Sequence, residues 1–296
     1  MNGNQLIYDW CFRYFGSTRS SALIRICFAL LIWYRYAISA KQGISTHGLG
    51  WQIIFYVAAT CMLLGYFSRI STLITGLLTL ALYYYFAIHL HQKEWWHHHT
   101  YLIAFATILL AFAPCGKSYS VDRWLTLRRA ARTEMPPPLE EGNLFALRLI
   151  GIQLAVLYFY AFWDKTFIGG TEAIFFNFLN GSRLEQISSF YYWGSDFEFL
   201  PFMSAIAAIL SMTVAIIELL LPLMLVERCQ KWLVIPGMGL HIMFYVMLPL
   251  ETYSLTCIVM YLGFFNADKI HGLIDLLGPG ASTEEQPVMA RDFATA

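Results

Sequence analysis

Charge is scarce in this chain: 13% of its 296 residues are charged, 19 basic against 19 acidic, with no net charge. A soluble domain carries roughly 25% charged residues. Water is therefore the wrong solvent for most of this surface, and the neutral balance argues against a nucleic-acid partner. Cysteines are few and scattered (Cys11, Cys27, Cys61, Cys115, Cys229 and Cys257), with no two closely spaced. That pattern supports neither a disulfide framework nor a zinc site. A Walker A loop, a dinucleotide-binding glycine motif after a strand and a GxSxG elbow are all missing. Their absence removes nucleotide-driven pumping and the common serine hydrolases. No small-residue cleavage site accompanies the first apolar run, so no signal peptide is expected.

Apolar residues are abundant, at 58%, and aromatics reach 17%. A membrane span needs ~17–25 apolar residues. Runs of that kind lie near 21–40, 50–68, 70–90, 98–115, 144–164, 201–226, 232–249 and 252–267. They predict an all-α fold, a polytopic transmembrane bundle of about eight spanning helices. Residues 116–142 are basic, then Pro-rich, and read as a loop with a surface helix. Residues 166–200 are aromatic and too mixed to span, and read as an ordered or re-entrant loop. The domain reading is a cytoplasmic segment 1–20, a membrane domain 21–268, and a disordered cytoplasmic tail 269–296.

Basic residues give the orientation, because cytoplasmic loops are enriched in Lys and Arg. With the N-terminus inside, those loops hold Arg13, Arg19, Arg69, Lys117, Arg123, Arg128, Arg129, Arg132, Arg228 and Lys231. The external loops then hold only Lys41, Lys93, Lys165 and Arg183. The expectation is a multi-pass protein of the cell membrane with both termini cytoplasmic.

Ionisable residues inside spans are costly and read as functional. Lys165 ends the fifth run near the outer face, after Gln153, Tyr158 and Tyr160. A desolvated lysine can serve as a base, while a lysine at a helix end can equally snorkel to the headgroups. Glu218 and His241 lie well inside later runs and must face the interior, pairing with each other or with arginines such as Arg25. The densest cluster is His89, His91, His97, His98 and His99, five imidazoles within eleven residues. It reads as a metal site, as one functional histidine opening a helix at His99, or as a polar interfacial loop. Tyr158 and Tyr160 could flank a flat apolar ligand such as a quinone, or simply pack.

Taken in order, these motifs resemble the HTTM domain, the membrane domain shared with vitamin K-dependent γ-carboxylase. The resemblance is carried by Trp96-His97-His98-His99-Thr100-Tyr101-Leu102 and Ala113-Pro114-Cys115-Gly116 through Ser120-Val121-Asp122. Arg25-Ile26-Cys27-Phe28, Leu64-Gly65-Tyr66, Gln153 through Lys165, Glu218-Leu219-Leu220-Leu221-Pro222 and His241 follow it over residues 20–268. It implies Lys165 as the base that deprotonates a reduced quinone at the outer face, with His99 orienting it. In the carboxylase, reaction of the quinol with O2 drives carboxylation of glutamate. His97 and His98 stand here where the carboxylase has asparagines, and Phe167-Ile168-Gly169-Gly170 replaces a family tryptophan.

The leading expectation is therefore an O2-dependent quinol oxidation (epoxidation), with glutamate carboxylation not carried over. Lys165, His99, His241 and Glu218 are the catalytic set, and Tyr158, Tyr160, Gln153 and Arg25 bind substrate. A reduced quinone is the co-substrate and no metal is expected. One alternative is a metal-dependent membrane oxygenase using the five clustered histidines. Another follows from HTTM relatives that assist maturation of secreted peptides, and gives a peptide-handling protein without catalysis. Membrane lipid and a quinol or peptide are the expected partners, with no nucleic acid.

Overall fold

The structure is a computed structural model that describes residues 14–43, 49–91, 98–165, 203–247 and 251–277. The 166–200 loop and His97 lie outside the described residues. The elements run β1 (Phe15–Ser17), α1 (Arg19–Gly43), α2 (Leu49–Leu64), α3 (Ser68–Tyr83), α4 (His98–Leu110), α5 (Val121–Arg132), β2 (Glu141–Asn143), α6 (Phe145–Trp163), α7 (Met203–Leu220), α8 (Glu227–Met247), α9 (Glu251–Met260) and α10 (Ala267–Leu277). α3 continues into a π-helical turn, Tyr84–His89, and α7 into a 3₁₀ turn, Leu221–Leu225.

The described residues form an α-helical bundle, as expected, apart from one short antiparallel ladder pairing β1 with β2. α1, α4, α6 and α9 form the centre, with α9 touching the other three. α2 and α3 flank the centre on one side, and α7 and α8 on the other. Three stretches are long and apolar enough to cross a membrane: Ser68–His89, Phe145–Trp163 and Ala208–Leu225. Shorter apolar helices occupy Gly50–Leu64, Thr100–Leu110 and Thr252–Gly263.

The arrangement of polar and apolar faces is that of a membrane protein. On α3 the buried positions are Ser68, Ser71, Thr72, Thr75, Gly76 and Thr79, while Ile70, Ile74 and Leu77 point outward. Lipid tails are as apolar as leucine, so burial of apolar side chains gives helices no reason to associate. Small residues do, because they let backbones approach closely. The threonine hydroxyls can be buried since each donates to the carbonyl one turn back: Thr72 to Ser68, Thr75 to Ser71 and Thr79 to Thr75, at 2.6–2.8 Å. α6 meets the turn after α9 at Gly151 and Gly263, where a Cβ on Gly151 would sit 3.1 Å from the Gly263 carbonyl oxygen.

One end of the bundle is fastened by Arg25, which is fully buried. Its Nε donates to the Cys115 carbonyl (3.1 Å), Nη1 to those of Met62 (2.6 Å) and Leu63 (3.1 Å), and Nη2 to that of Tyr119 (2.6 Å). Two of these carbonyls belong to the last turn of α2 and two to the turn between α4 and α5, where regular helical bonding stops. Gly65 closes the α2–α3 turn at φ +67°, directly against the Arg25 guanidinium and Ser120. The Asp122 carboxylate accepts from the backbone N–H groups of Phe67 (3.0 Å) and Ser68 (2.7 Å), capping α3 from a distant part of the chain. The same end carries the β1–β2 ladder and α10.

α10 corrects the sequence reading for residues 269–277, which were expected to be disordered. The helix is amphipathic and turns Ala267, Ile270, His271 and Ile274 inward. The Asp268 carboxylate accepts from the Ser17 N–H at 2.9 Å, and His271 Nδ1 meets the Ser17 hydroxyl at 2.7 Å. Arg19 adds an ion pair with Asp275. Residues 278–296 lie outside the described part.

Candidate functional site

The seven-residue period of α6 sets up the site. Gly151, Tyr158 and Lys165 are spaced by seven, which is two turns less about 20°, so they share one face. Gly151 gives that face its close contact with the turn after α9, and Tyr158 and Lys165 then project beside α7, α8 and α9. Cα–Cβ bonds tilt toward the N-terminus of a helix. A lysine at the C-terminal end therefore has its stem directed back along α6 rather than out to the headgroups. Lys165 takes that course: its Nζ lies 2.5 Å from both Oε1 and Oε2 of Glu218 on α7. The Glu218 side chain is 3% exposed and that of Lys165 25%. A carboxylate in so apolar a setting needs such a partner, because an unpaired buried charge costs several kcal/mol.

Two turns deeper on the same face, the Tyr158 hydroxyl is 2.5 Å from His241 Nε2 and 2.9 Å from the Tyr261 hydroxyl. Tyr158 and His241 are both buried. The His241 ring is surrounded by Tyr158, Tyr253 and Tyr261, each centroid 5.8 Å away, and by Phe244. Its Nδ1 has no hydrogen-bond partner among the described residues. Tyr158 has one hydroxyl proton, which goes to the Tyr261 hydroxyl, so the His241 ring is the donor toward Tyr158. The assignment that fits puts the proton on Nε2, donates it to Tyr158, and lets Tyr158 donate to Tyr261. Nδ1 then carries a lone pair. Tyr253 precedes the buried Cys257 by one turn of α9.

The remaining expected residues divide. Gln153 is on a different face of α6, where its Nε2 donates to the Leu102 carbonyl of α4 at 3.2 Å. His99 is the second residue of α4, less than one turn from Leu102, so its backbone lies toward the Lys165 end of α6. Arg25 is not part of this constellation. It serves the turns at the other end of the bundle, where α6 begins rather than where it ends. Tyr160 is 60% exposed and faces away from the bundle. The reason is geometric: residues two apart on a helix are about 200° apart and cannot flank one ligand. In the histidine cluster, His89 is exposed and lies against the Tyr85 ring, and His91 is exposed with φ +51°. Among the described residues no three metal-ligating side chains converge.

Tyr253, Cys257 and Tyr261 were not anticipated from the sequence. They recur at i, i+4 and i+8 in the last apolar run, a polar stripe on one face of an otherwise apolar helix. That spacing was the available signal.

No curated protein and no solved structure matches the chain. The HTTM domain matches it over residues 22–269, from the first turn of α1 into the first turn of α10. That interval includes Lys165, Glu218, Tyr158 and His241, and by it this membrane protein belongs to the HTTM domain family, which is of the vitamin K-dependent carboxylase-like kind.

Proposed function

We propose that this protein is a multi-pass membrane enzyme that oxidises a quinol, or another lipid-soluble hydroxyl compound, with O2, using Lys165 as the base. The observation that carries the reading is the buried pair of Lys165 with Glu218, 2.5 Å apart, beside the Tyr158–His241 layer. An amine is a base only without its proton. Glu218 is positioned to hold that proton, and the transfer leaves the net charge of the pair unchanged in a medium of low dielectric. The neutral amine then takes the substrate hydroxyl proton, and the ammonium so formed stays beside the oxyanion left behind. A pre-set cation next to developing negative charge is the usual source of such stabilisation. The quinol supplies the two electrons and two protons, so that one atom of O2 enters the epoxide and the other leaves as water. His241, with a free lone pair on Nδ1, and Tyr158 supply a second, deeper acceptor and donor.

The finer topology belongs to the same proposal. It has about eight spans, residues 1–20 and 269–296 on the cytoplasmic side, and the lysine toward the outer face. Arg69, Arg123, Arg128, Arg129 and Arg132 all belong to the end fastened by Arg25, opposite Lys165, which supports this orientation.

The test is O2 consumption by the purified protein in detergent with reduced menaquinone or vitamin K hydroquinone. Uptake that depends on Lys165 and yields an epoxide is the expected result. No uptake with either quinol, from protein that is folded, refutes it.

A further inference from the structure

At the basic end of the bundle, α5 presents an outer face that is both apolar and strongly cationic. Its N-terminal turn is clamped. Ser120 caps it by accepting from the Arg123 N–H at 2.9 Å, and Arg123 lies 3.5 Å from Glu140 and donates to the Pro138 carbonyl. Asp122, the only acid in the helix, is turned inward to cap α3. The helix therefore leaves the bundle at a fixed angle and shows no exposed acid of its own.

What it displays is of two kinds. Trp124, Leu127, Arg128 and Ala131 follow at i, i+3, i+4 and i+7, which makes one face. Trp124 is 56% exposed, with the Arg128 guanidinium over its ring at 5.3 Å. Arg129 and Arg132 flank that face and are exposed too. The strand of chain that returns from α5 adds two more exposed apolar side chains, Met135 and Leu139. Glu134, just past the helix, is the nearest exposed acid in sequence.

We propose that α5 lies in the membrane plane and binds the anionic headgroups of the adjacent leaflet. A polar, solvated surface does not call for Trp124, Leu127, Met135 and Leu139, and the hydrocarbon layer does not admit three arginines. The headgroup boundary accepts both, because Trp and Leu enter it while Arg keeps its charge at phosphate level. α5 follows directly on the turn that closes α4, so it stands at the depth where that boundary lies. Charge complementarity selects anionic over zwitterionic lipid, by about fivefold per arginine near the surface. The inference needs the membrane setting of the bundle but not quinol chemistry, so each can fail alone.

The experiment uses the full chain reconstituted in phosphatidylcholine bilayers with and without phosphatidylglycerol. Mass spectrometry counts the phosphatidylglycerol that stays with the protein on extraction. The R128Q/R129Q/R132Q variant is compared with the native chain, at low and high salt. In parallel, brominated phosphatidylglycerol or phosphatidylcholine is used to quench the Trp124 emission, taken as native minus W124F. The expected result is enrichment of phosphatidylglycerol that falls at least tenfold in the variant and weakens with salt, with Trp124 quenched more by the brominated anionic lipid. If the variant melts below the native chain, the Trp124 quenching decides. Equal retention of phosphatidylglycerol in both chains overturns the proposal, and so does Trp124 emission untouched by either brominated lipid.

Discussion

Replacing Lys165 alone is a poor test of a catalytic lysine here, and the structure says by how much. Lys165→Met leaves the Glu218 carboxylate 3% exposed and without the ammonium 2.5 Å away. Removing one partner of a buried pair costs about 3–5 kcal/mol, so the single variant loses stability and activity together. Lys165→Met combined with Glu218→Gln removes both charges and keeps the volume. Replacing such pairs by neutral groups is often close to neutral. The double variant should therefore recover most of the loss, and a double-mutant cycle should give a coupling of at least about 2 kcal/mol. Denaturant unfolding in detergent micelles measures the four stabilities, and O2 uptake with a reduced quinone measures function. The expected outcome is a folded double variant with no uptake. Additive stability losses, with coupling below about 0.5 kcal/mol, would show that the two side chains do not depend on one another. Uptake by the double variant at the native rate would remove Lys165 from the chemistry.

Three further outcomes follow from the other end of the molecule. Arg25→Met withdraws a buried guanidinium from four carbonyls and should cost about 3–5 kcal/mol, read as a fall in the thermal unfolding midpoint; a loss under about 1 kcal/mol contradicts the fastening role. Gly65→Ala forces a Cβ onto a left-handed residue against Arg25 and Ser120, with an expected loss of about 2 kcal/mol, and an unchanged midpoint would refute the strain argument. The Lys269 ammonium holds the Glu227 carboxyl below its ordinary range, and Arg19 does the same for Asp275. A depressed carboxyl contributes stability above its unfolded pKa and loses it as pH falls through the folded one. α10 should therefore exchange its amide hydrogens with less protection once the pH drops below the ordinary carboxylate range, and protection that is constant through acid would contradict this.

Much of the site was legible because ionisable residues in apolar runs have few places to go. Lys165, Glu218 and His241 could be named as candidates from composition and position, since hydrocarbon forces such groups inward. Their partners could not. Lys165 meets Glu218 across 53 positions, and that choice depends on how α6 and α7 cross, which no local pattern encodes. Arg25 illustrates the limit from another side: its acceptors are backbone carbonyls in turns, and a search for side-chain partners passes over them. Tyr160 failed through period alone, because adjacency in sequence was taken for a shared face. The run at 98–115 ends as a helix at Leu110 because Pro114 and Gly116 favour the turns that follow. Residues 269–277 read as part of the tail, yet three inward positions, Ile270, His271 and Ile274, and contacts with Ser17 and Arg19 suffice to dock them.

The Arg25 fastening also bears on the order in which the chain can be assembled. Arg25 emerges in the first span, but its acceptors at Met62 and Leu63 are made some forty residues later, and those at Cys115 and Tyr119 about ninety later. Until then the guanidinium has no backbone to serve and, six residues into α1 at the basic end of the bundle, it keeps its charge by reaching toward the headgroups. α1 therefore reaches its final packing only together with its neighbours. The fastening closes only once α2 and the turn after α4 have delivered their carbonyls, so α1 locks this half of the bundle late.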